Sequence, residues 1–250
     1  MAKRARSNRT SKRGKPQRRG KDKAGKLRLG AIVRRWFLRA VLLFIGIVGL
    51  GTGTYALLNP PTGLYMKTEE LRLGSIDHEW VDFEGIAPVM ARSVVAAEDA
   101  NFCAHWGFDM AAIRSAIDAG GNRGASTLTQ QSVKNVYLWH GRNWTRKALE
   151  AVLTPVVETV WSKRRILEVY LNMAEFDEGV FGVDAAAHHY FGIGPDQLSA
   201  RQAALLAAIL PSPKQRSASK PSDFVRKRAT AIMDGAATIR ADGRAACFED

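Results

Sequence analysis

Acids, amides and cations gather between Glu98 and Glu150, and they are the side chains best suited to chemistry in this chain. Glu98 and Asp99 follow the apolar run SVVAA at the end of a helical pattern that opens near Pro88. Two acids at a helix C-terminus oppose the macrodipole at roughly 0.3–1 kcal/mol each, and each raises the other's pKa. A carboxylate pushed toward the working pH suits a general base, although a solvated helix end reads the same way. Arg146 and Glu150 stand i, i+4 on one helix face, as a surface ion pair of about 0.3–0.5 kcal/mol or as a ligand-facing pair.

Between these carboxylates, Gly124 and the hydroxyl residues Ser126, Thr127 and Thr129 open a helix bearing Gln131, Lys134 and Asn135. Glycine and hydroxyls at a helix N-terminus suit an anionic oxygen ligand, and a capped helix with a polar face is the alternative. No GxxxxGK run ending in Ser or Thr is present, which excludes a nucleotide P-loop. Lys163 heads the cluster Lys163, Arg164, Arg165, which reads equally as a solvated helix start or a ligand contact. The five histidines show no metal spacing, and His105 is placed to order the loop after Glu98. Trp106, Phe108, Met110 and Ile113 read as core or as a membrane-facing patch.

These residues need a scaffold, and the pattern after residue 86 is helical. Helices are expected over 87–99, 108–120, a segment capped by Ser126, 144–161, 163–173, a helix DAAAHHYFG, one opened by a Ser199/Gln202 capping box, and 222–240. Short strand-like pieces such as HEWVDF lie in the polar stretch 59–86. Two cysteines, Cys103 and Cys247, are too few for a disulfide framework, and nothing in their spacing pairs them.

The net charge of +13 suggests nucleic acid until its distribution is considered. Residues 1–39 hold sixteen Lys and Arg against Asp22, a net +15, which leaves −2 for everything after. The segment 1–35 reads as a disordered, basic, cytoplasmic tail, and 36–58 as a transmembrane helix with a nineteen-residue uncharged stretch from Ala40 to Leu58. Cations on its N-terminal side predict an N-in orientation, which leaves 59–250 as a domain outside the cytoplasm. That topology accounts for the basic tail without a nucleic-acid partner.

The order of the motifs is more specific than any one of them. E-D-x-x-F-x-x-H-x-G from Glu98, G-x-S-T-L-T-Q-Q-x-x-K-N from Gly124 and R-K-x-x-E from Arg146 are followed by K-R-R-I-L-E-V-Y-L-N from Lys163 and A-A-L-L-A-A-I-L-P from Ala203. Over about residues 76–215 the chain resembles the family 51 peptidoglycan glycosyltransferases, in their monofunctional form. The resemblance implies a mostly α, lysozyme-like domain after one N-terminal transmembrane helix, a lipid II substrate and growing glycan chain, and a divalent cation, Mg or Mn, whose ligands it leaves unknown. It also implies the bacterial inner membrane, a periplasmic catalytic domain and other wall-synthesis proteins as partners. On matching positions Glu98 and Glu150 become catalytic, with Ser126, Thr127, Gln131, Lys134, Asn135, Arg146 and Lys163 binding substrate. Ser132 and Asp177 depart from the family's usual residues. A lysozyme-like lytic enzyme and a silent membrane scaffold remain as alternatives.

Overall fold

The computed structural model describes residues 21–120, 124–141 and 143–249, and the chain divides into two compact units, 1–49 and 50–250. Helix α1 spans Lys21–Leu57, and its stretch Ile32–Leu57 is long and apolar enough to cross a membrane. Trp36, Phe37, Leu42, Leu43 and Ile47 on it are exposed. The expected tail lies outside the described residues up to residue 20. From Lys21 onward it is helical rather than disordered, as Lys, Arg and Leu are good helix formers and continue a helix already nucleated.

The second unit is built on ten further helices among the described residues. They are α2 (Leu64–Leu73), α3 (Pro88–Glu98), α4 (Met110–Asp118), α5 (Leu128–Tyr137) and α6 (Trp144–Val160), then α7 (Lys163–Met173), α8 (Val183–Phe191), α9 (Ala200–Ile209), α10 (Asp223–Ala241) and α11 (Ala246–Glu249). The expected mostly α architecture is therefore present. Of HEWVDF only the first residue is in a strand. β1 (Asp77–His78) runs parallel to β3 (Val180–Phe181), which pairs antiparallel with β2 (Glu175–Asp177) in the order β1-β3-β2.

Two helical groups make the core. In one, α9 packs against α3 and α10, and its alanines Ala203, Ala204, Ala207 and Ala208 are fully buried. Small side chains let these helices approach closely, and a Cβ at Gly235 of α10 would stand 3.2 Å from Ala96 Cβ of α3. In the other, α5 packs against α6 and α7, with Leu128, Val133, Ile166 and Val169 buried. The Ser199/Gln202 capping box opens α9 as the sequence requires. Arg165 binds the carbonyl oxygens of Tyr55 (3.1 Å) and Leu58 (2.8 Å), which satisfies acceptors at the C-terminal end of α1.

One local expectation is corrected, and the state of the cysteines, which their spacing left open, is decided. Thr127, not Ser126, caps α5: its hydroxyl accepts from Gln130 N while Gln130 Oε1 accepts from Thr127 N. The T-x-x-Q reading of the capping box is one residue later than the serine, and the pairing with Gln130 selects it. Cys103 and Cys247 form a disulfide with Cα atoms 5.6 Å apart. They are 144 residues apart in the chain, so only the return of α11 to the turn after α3 brings them together.

Candidate active site

Glu98 is the last residue of α3, and its position where two helical groups meet sets its properties. Its Oε2 accepts from Gln131 Nε2 of α5 at 3.1 Å, while Oε1 is buried without a hydrogen bond. Arg228 Nη2 of α10 lies 3.7 Å from that oxygen, and the Arg228 Nε is itself buried without a partner. Burial raises the pKa of Glu98, with Asp99 adding to it, against the lowering influence of Gln131, Arg228 and Lys134. Tyr170 OH donates to Gln131 Oε1 at 3.4 Å and so orients the amide toward the carboxylate.

Asp99 does not behave as a second helix-end acid. It caps α3 and turns its side chain to the next element, where Oδ2 accepts from Leu128 N at the start of α5 (3.0 Å) and Oδ1 pairs with His105 Nε2 (2.8 Å). A carboxylate there meets the positive end of the α5 dipole, so the unfavourable placement at its own helix is offset by the neighbouring one. His105 orders this loop, as its position suggested. Gly107 is required in the same turn, with φ at +81° and a Cβ that would stand 2.6 Å from Thr154 Cγ2.

Glu98, Ser126, Gln131, Pro211 and Arg228 line a depression of about 370 Å³. A second, of about 350 Å³, shares Gln131 and Pro211 with it and is lined by Lys134, Asn135, Tyr65, His140 and Lys214. Burial lowers the pKa of Lys134, which Arg146 and Lys147 also depress and Glu150 raises. His140 is pushed down to about 4, first by burial and then by Lys134, so it is neutral at pH 7. At the far end, Tyr65 OH donates to Glu175 Oε2 (2.6 Å), and Lys214 bridges Glu69 (2.8 Å) and Glu175 (3.3 Å).

Glu150 is buried between two cations: Arg146 Nη1 at 2.8 Å and Lys147, which also donates to Ser126 Oγ at 3.3 Å. Arg146 and Lys147 line a shallower depression with Asn143 and the exposed Trp144. Thr127 and Lys163 are placed inside the scaffold. Thr127 donates to Gly107 O (2.7 Å), and Lys163 Nζ donates to His105 O (2.8 Å) and Glu158 Oε1 (2.9 Å) and lies 4.5 Å from the Phe102 ring centre. Glu158 also accepts from Thr129, so Lys163 ties α7 to α5, α6 and the loop after Glu98.

Of the residues singled out in the sequence, the fold brings Glu98, Ser126 and Gln131 to one depression and Gln131, Lys134 and Asn135 to the other. Arg146 and Glu150 form a charged group beside them. Sequence reasoning missed Arg228, Tyr170, Lys147 and Lys214. Lys147 was legible as the K of R-K-x-x-E, i, i+3 to Glu150, whereas Arg228 reaches Glu98 only through the packing of α10 on α3. Among the described residues no three His, Cys, Asp or Glu side chains gather into a metal group, and both Glu150 oxygens are engaged. This donor set does not fit a divalent cation held by protein alone.

A largely buried carboxylate in a cleft of a helical domain, beside a cluster of cations, is the arrangement of an enzyme that pairs a general base with an anion-binding site. The chain belongs to the transglycosylase family, whose model matches residues 66–237. It is 57% identical over 235 residues to the biosynthetic peptidoglycan transglycosylase of Jannaschia sp. (strain CCS1), covering 94% of this chain and 98% of that one. Identity to the protein of that name from Cronobacter sakazakii (strain ATCC BAA-894) is 47% over 212 residues, 80% of this chain and 88% of that one. For the one from Rhizobium meliloti (strain 1021) it is 45% over 194 residues, 76% and 81%.

Proposed function

We propose that this chain is a peptidoglycan glycosyltransferase that polymerises lipid II, with Glu98 as general base. The observation that carries the assignment of the base is the buried Glu98 Oε1, which has no hydrogen bond among the described residues, in a side chain lining a depression that shares Gln131 with the one lined by Lys134. The 4-hydroxyl of the incoming GlcNAc gives its proton to Glu98, and its oxygen attacks the anomeric carbon of the MurNAc at the reducing end of the growing chain. The bond from that carbon to undecaprenyl pyrophosphate breaks, and attack from the opposite face converts an α-linked donor into a β-1,4 link. Gln131 holds the carboxylate, and its raised pKa makes it a better proton acceptor than an ordinary surface acid.

Lys134, Arg146 and Lys147 stabilise the charge that develops on the pyrophosphate, and Glu150 holds the last two in place. A divalent cation would be bound largely through substrate phosphates, since the described residues offer no cage, and no step here depends on it. The anchor α1 fits a single-pass protein of the bacterial inner membrane with the enzyme domain in the periplasm. The disulfide supports that side, because such bonds persist in oxidising compartments.

The test is full-length protein in detergent given fluorescent lipid II. Glycan polymer is expected from wild type, with a loss of about 10²–10⁴-fold in Glu98→Gln, the usual contribution of a general base. Polymerisation at the wild-type rate by Glu98→Gln would remove the assigned base, and cleavage of finished glycan without polymerisation would make the chain a lytic enzyme.

A further inference from the structure

The segment after α10 turns back onto the residues that follow Glu98. Arg244 Nη1 donates to Ala100 O at 3.1 Å. Cys247 is bonded to Cys103, whose sulfur also lies 2.9 Å from the Arg244 carbonyl oxygen. Phe248 is fully buried with its ring centre 6.4 Å from that of Phe102, which is also fully buried. Glu249 pairs with Arg92 of α3 at 2.5 Å, and Arg164 of α7 donates to Phe248 O at 3.3 Å. Residues 244–249 thus hold the helix that ends in Glu98, the turn that leaves it and the helix behind that turn.

Glu98 needs such support, because one hydrogen bond, from Gln131, is the only one its carboxylate makes among the described residues. Its place depends on the backbone. On the α5 side the turn is fixed by Asp99 through Leu128 N and His105. On the opposite side the contacts to Ala100, Phe102 and Cys103 come from the C-terminal segment and from Lys163. We propose that Cys103 and Cys247, with the segment their disulfide anchors, are positioning residues that hold the turn after Glu98 in its catalytic geometry. The proposal rests on the reading of Glu98 as general base.

Misplacing a base by an ångström costs up to about a hundredfold in rate even where substrate still binds. Loss of the disulfide is therefore expected to lower kcat for lipid II by about tenfold to a hundredfold while KM stays within about twofold. Loosening the turn also lets water reach a carboxylate whose pKa burial now raises, so the acid limb of the pH–rate profile moves to lower pH.

Full-length protein in detergent is assayed as the wild type, as Cys103→Ser/Cys247→Ser and as wild type opened with dithiothreitol, at a temperature well below the Tm of each. Dithiothreitol supplies two electrons and two protons, giving two thiols while its own sulfurs close to a cyclic disulfide. The lowered kcat, the shifted acid limb and recovery of both when dithiothreitol is replaced by oxidised glutathione support the proposal. A merely structural staple would lower Tm and leave kcat and the pH profile unchanged, and that result overturns it. Should the double variant not fold, the wild type opened with dithiothreitol decides by the same readouts, since it starts from the folded protein and loses only the disulfide. Glu98→Gln is assayed alongside: if it polymerises normally the general-base reading falls and takes this proposal with it. If it is inactive while the double variant is unaffected, only the positioning role falls.

Discussion

Glu98 sits where catalysis and stability oppose one another. Its carboxylate is largely withdrawn from water and makes one hydrogen bond among the described residues, and burial raises its pKa above the ordinary carboxylate value. A group with a raised folded-state pKa favours the folded protein only while protonated: that contribution is complete below the ordinary carboxylate pKa and is lost as pH rises through the raised value. Glu98→Gln is therefore expected to have a higher Tm than wild type near about pH 8, with the gap closing toward about pH 4, as read by calorimetry across pH. Equal Tm values at every pH would mean that the carboxylate is not destabilised. Arg228 acts in the opposite sense on the same group, since a cation 3.7 Å away favours the ionised form. Arg228→Gln should push the pKa of Glu98 higher still and move the acid limb of kcat/KM to higher pH, and a limb that stays in place would remove Arg228 from the account.

At the scale of elements, the cleft exists because α5 is fixed at both ends of its first turn. Its N-terminus receives Asp99 on Leu128 N and the capping box of Thr127 and Gln130, and Thr129 in the same turn meets Glu158. Lys163 completes this knot from α7, so its substitution tests a structural role against a ligand contact. Breaking a buried ion pair by removing one partner costs about 3–5 kcal/mol, because Glu158 is left charged and unpaired. Lys163→Ala should therefore show a large drop in denaturant midpoint. Thr127→Ala should cost about 1 kcal/mol for the cap, with a further loss where Gly107 O has no donor. Were Lys163→Ala as stable as wild type but with a raised KM for lipid II, the side chain would belong to the substrate site.

At the scale of the whole molecule, the apolar helix and the disulfide make one topological statement from two independent kinds of chemistry. Sixteen cations on the N-terminal side of the uncharged stretch from Ala40 to Leu58 predict a cytoplasmic N-terminus, and a disulfide in the domain that follows needs an oxidising compartment. In cells lysed into a maleimide reagent, the full-length chain is expected to stay unmodified until reduced and then to take two labels. Two labels without reduction would place Cys103 and Cys247 on the reducing side of the membrane.

Much of this protein could be read from residue order. The capping box at Ser199 and the helices from Pro88, Lys163 and Ser222 follow from periodicity and end signals, which are local. Arg146 and Glu150 were legible as a pair because a helix brings i and i+4 together wherever it sits. The sequence determined the span, the charge asymmetry and the five motifs of the transglycosylase family. The tertiary structure decided what depends on residues distant in the chain. Asp99 answers to the dipole of α5 rather than that of its own helix, Lys163 faces Glu158 rather than the cleft, Arg228 reaches Glu98 from α10, and Cys247 closes on Cys103. Each of these is set by how helices pack against one another, and that packing is a property of the assembled core rather than of any local pattern.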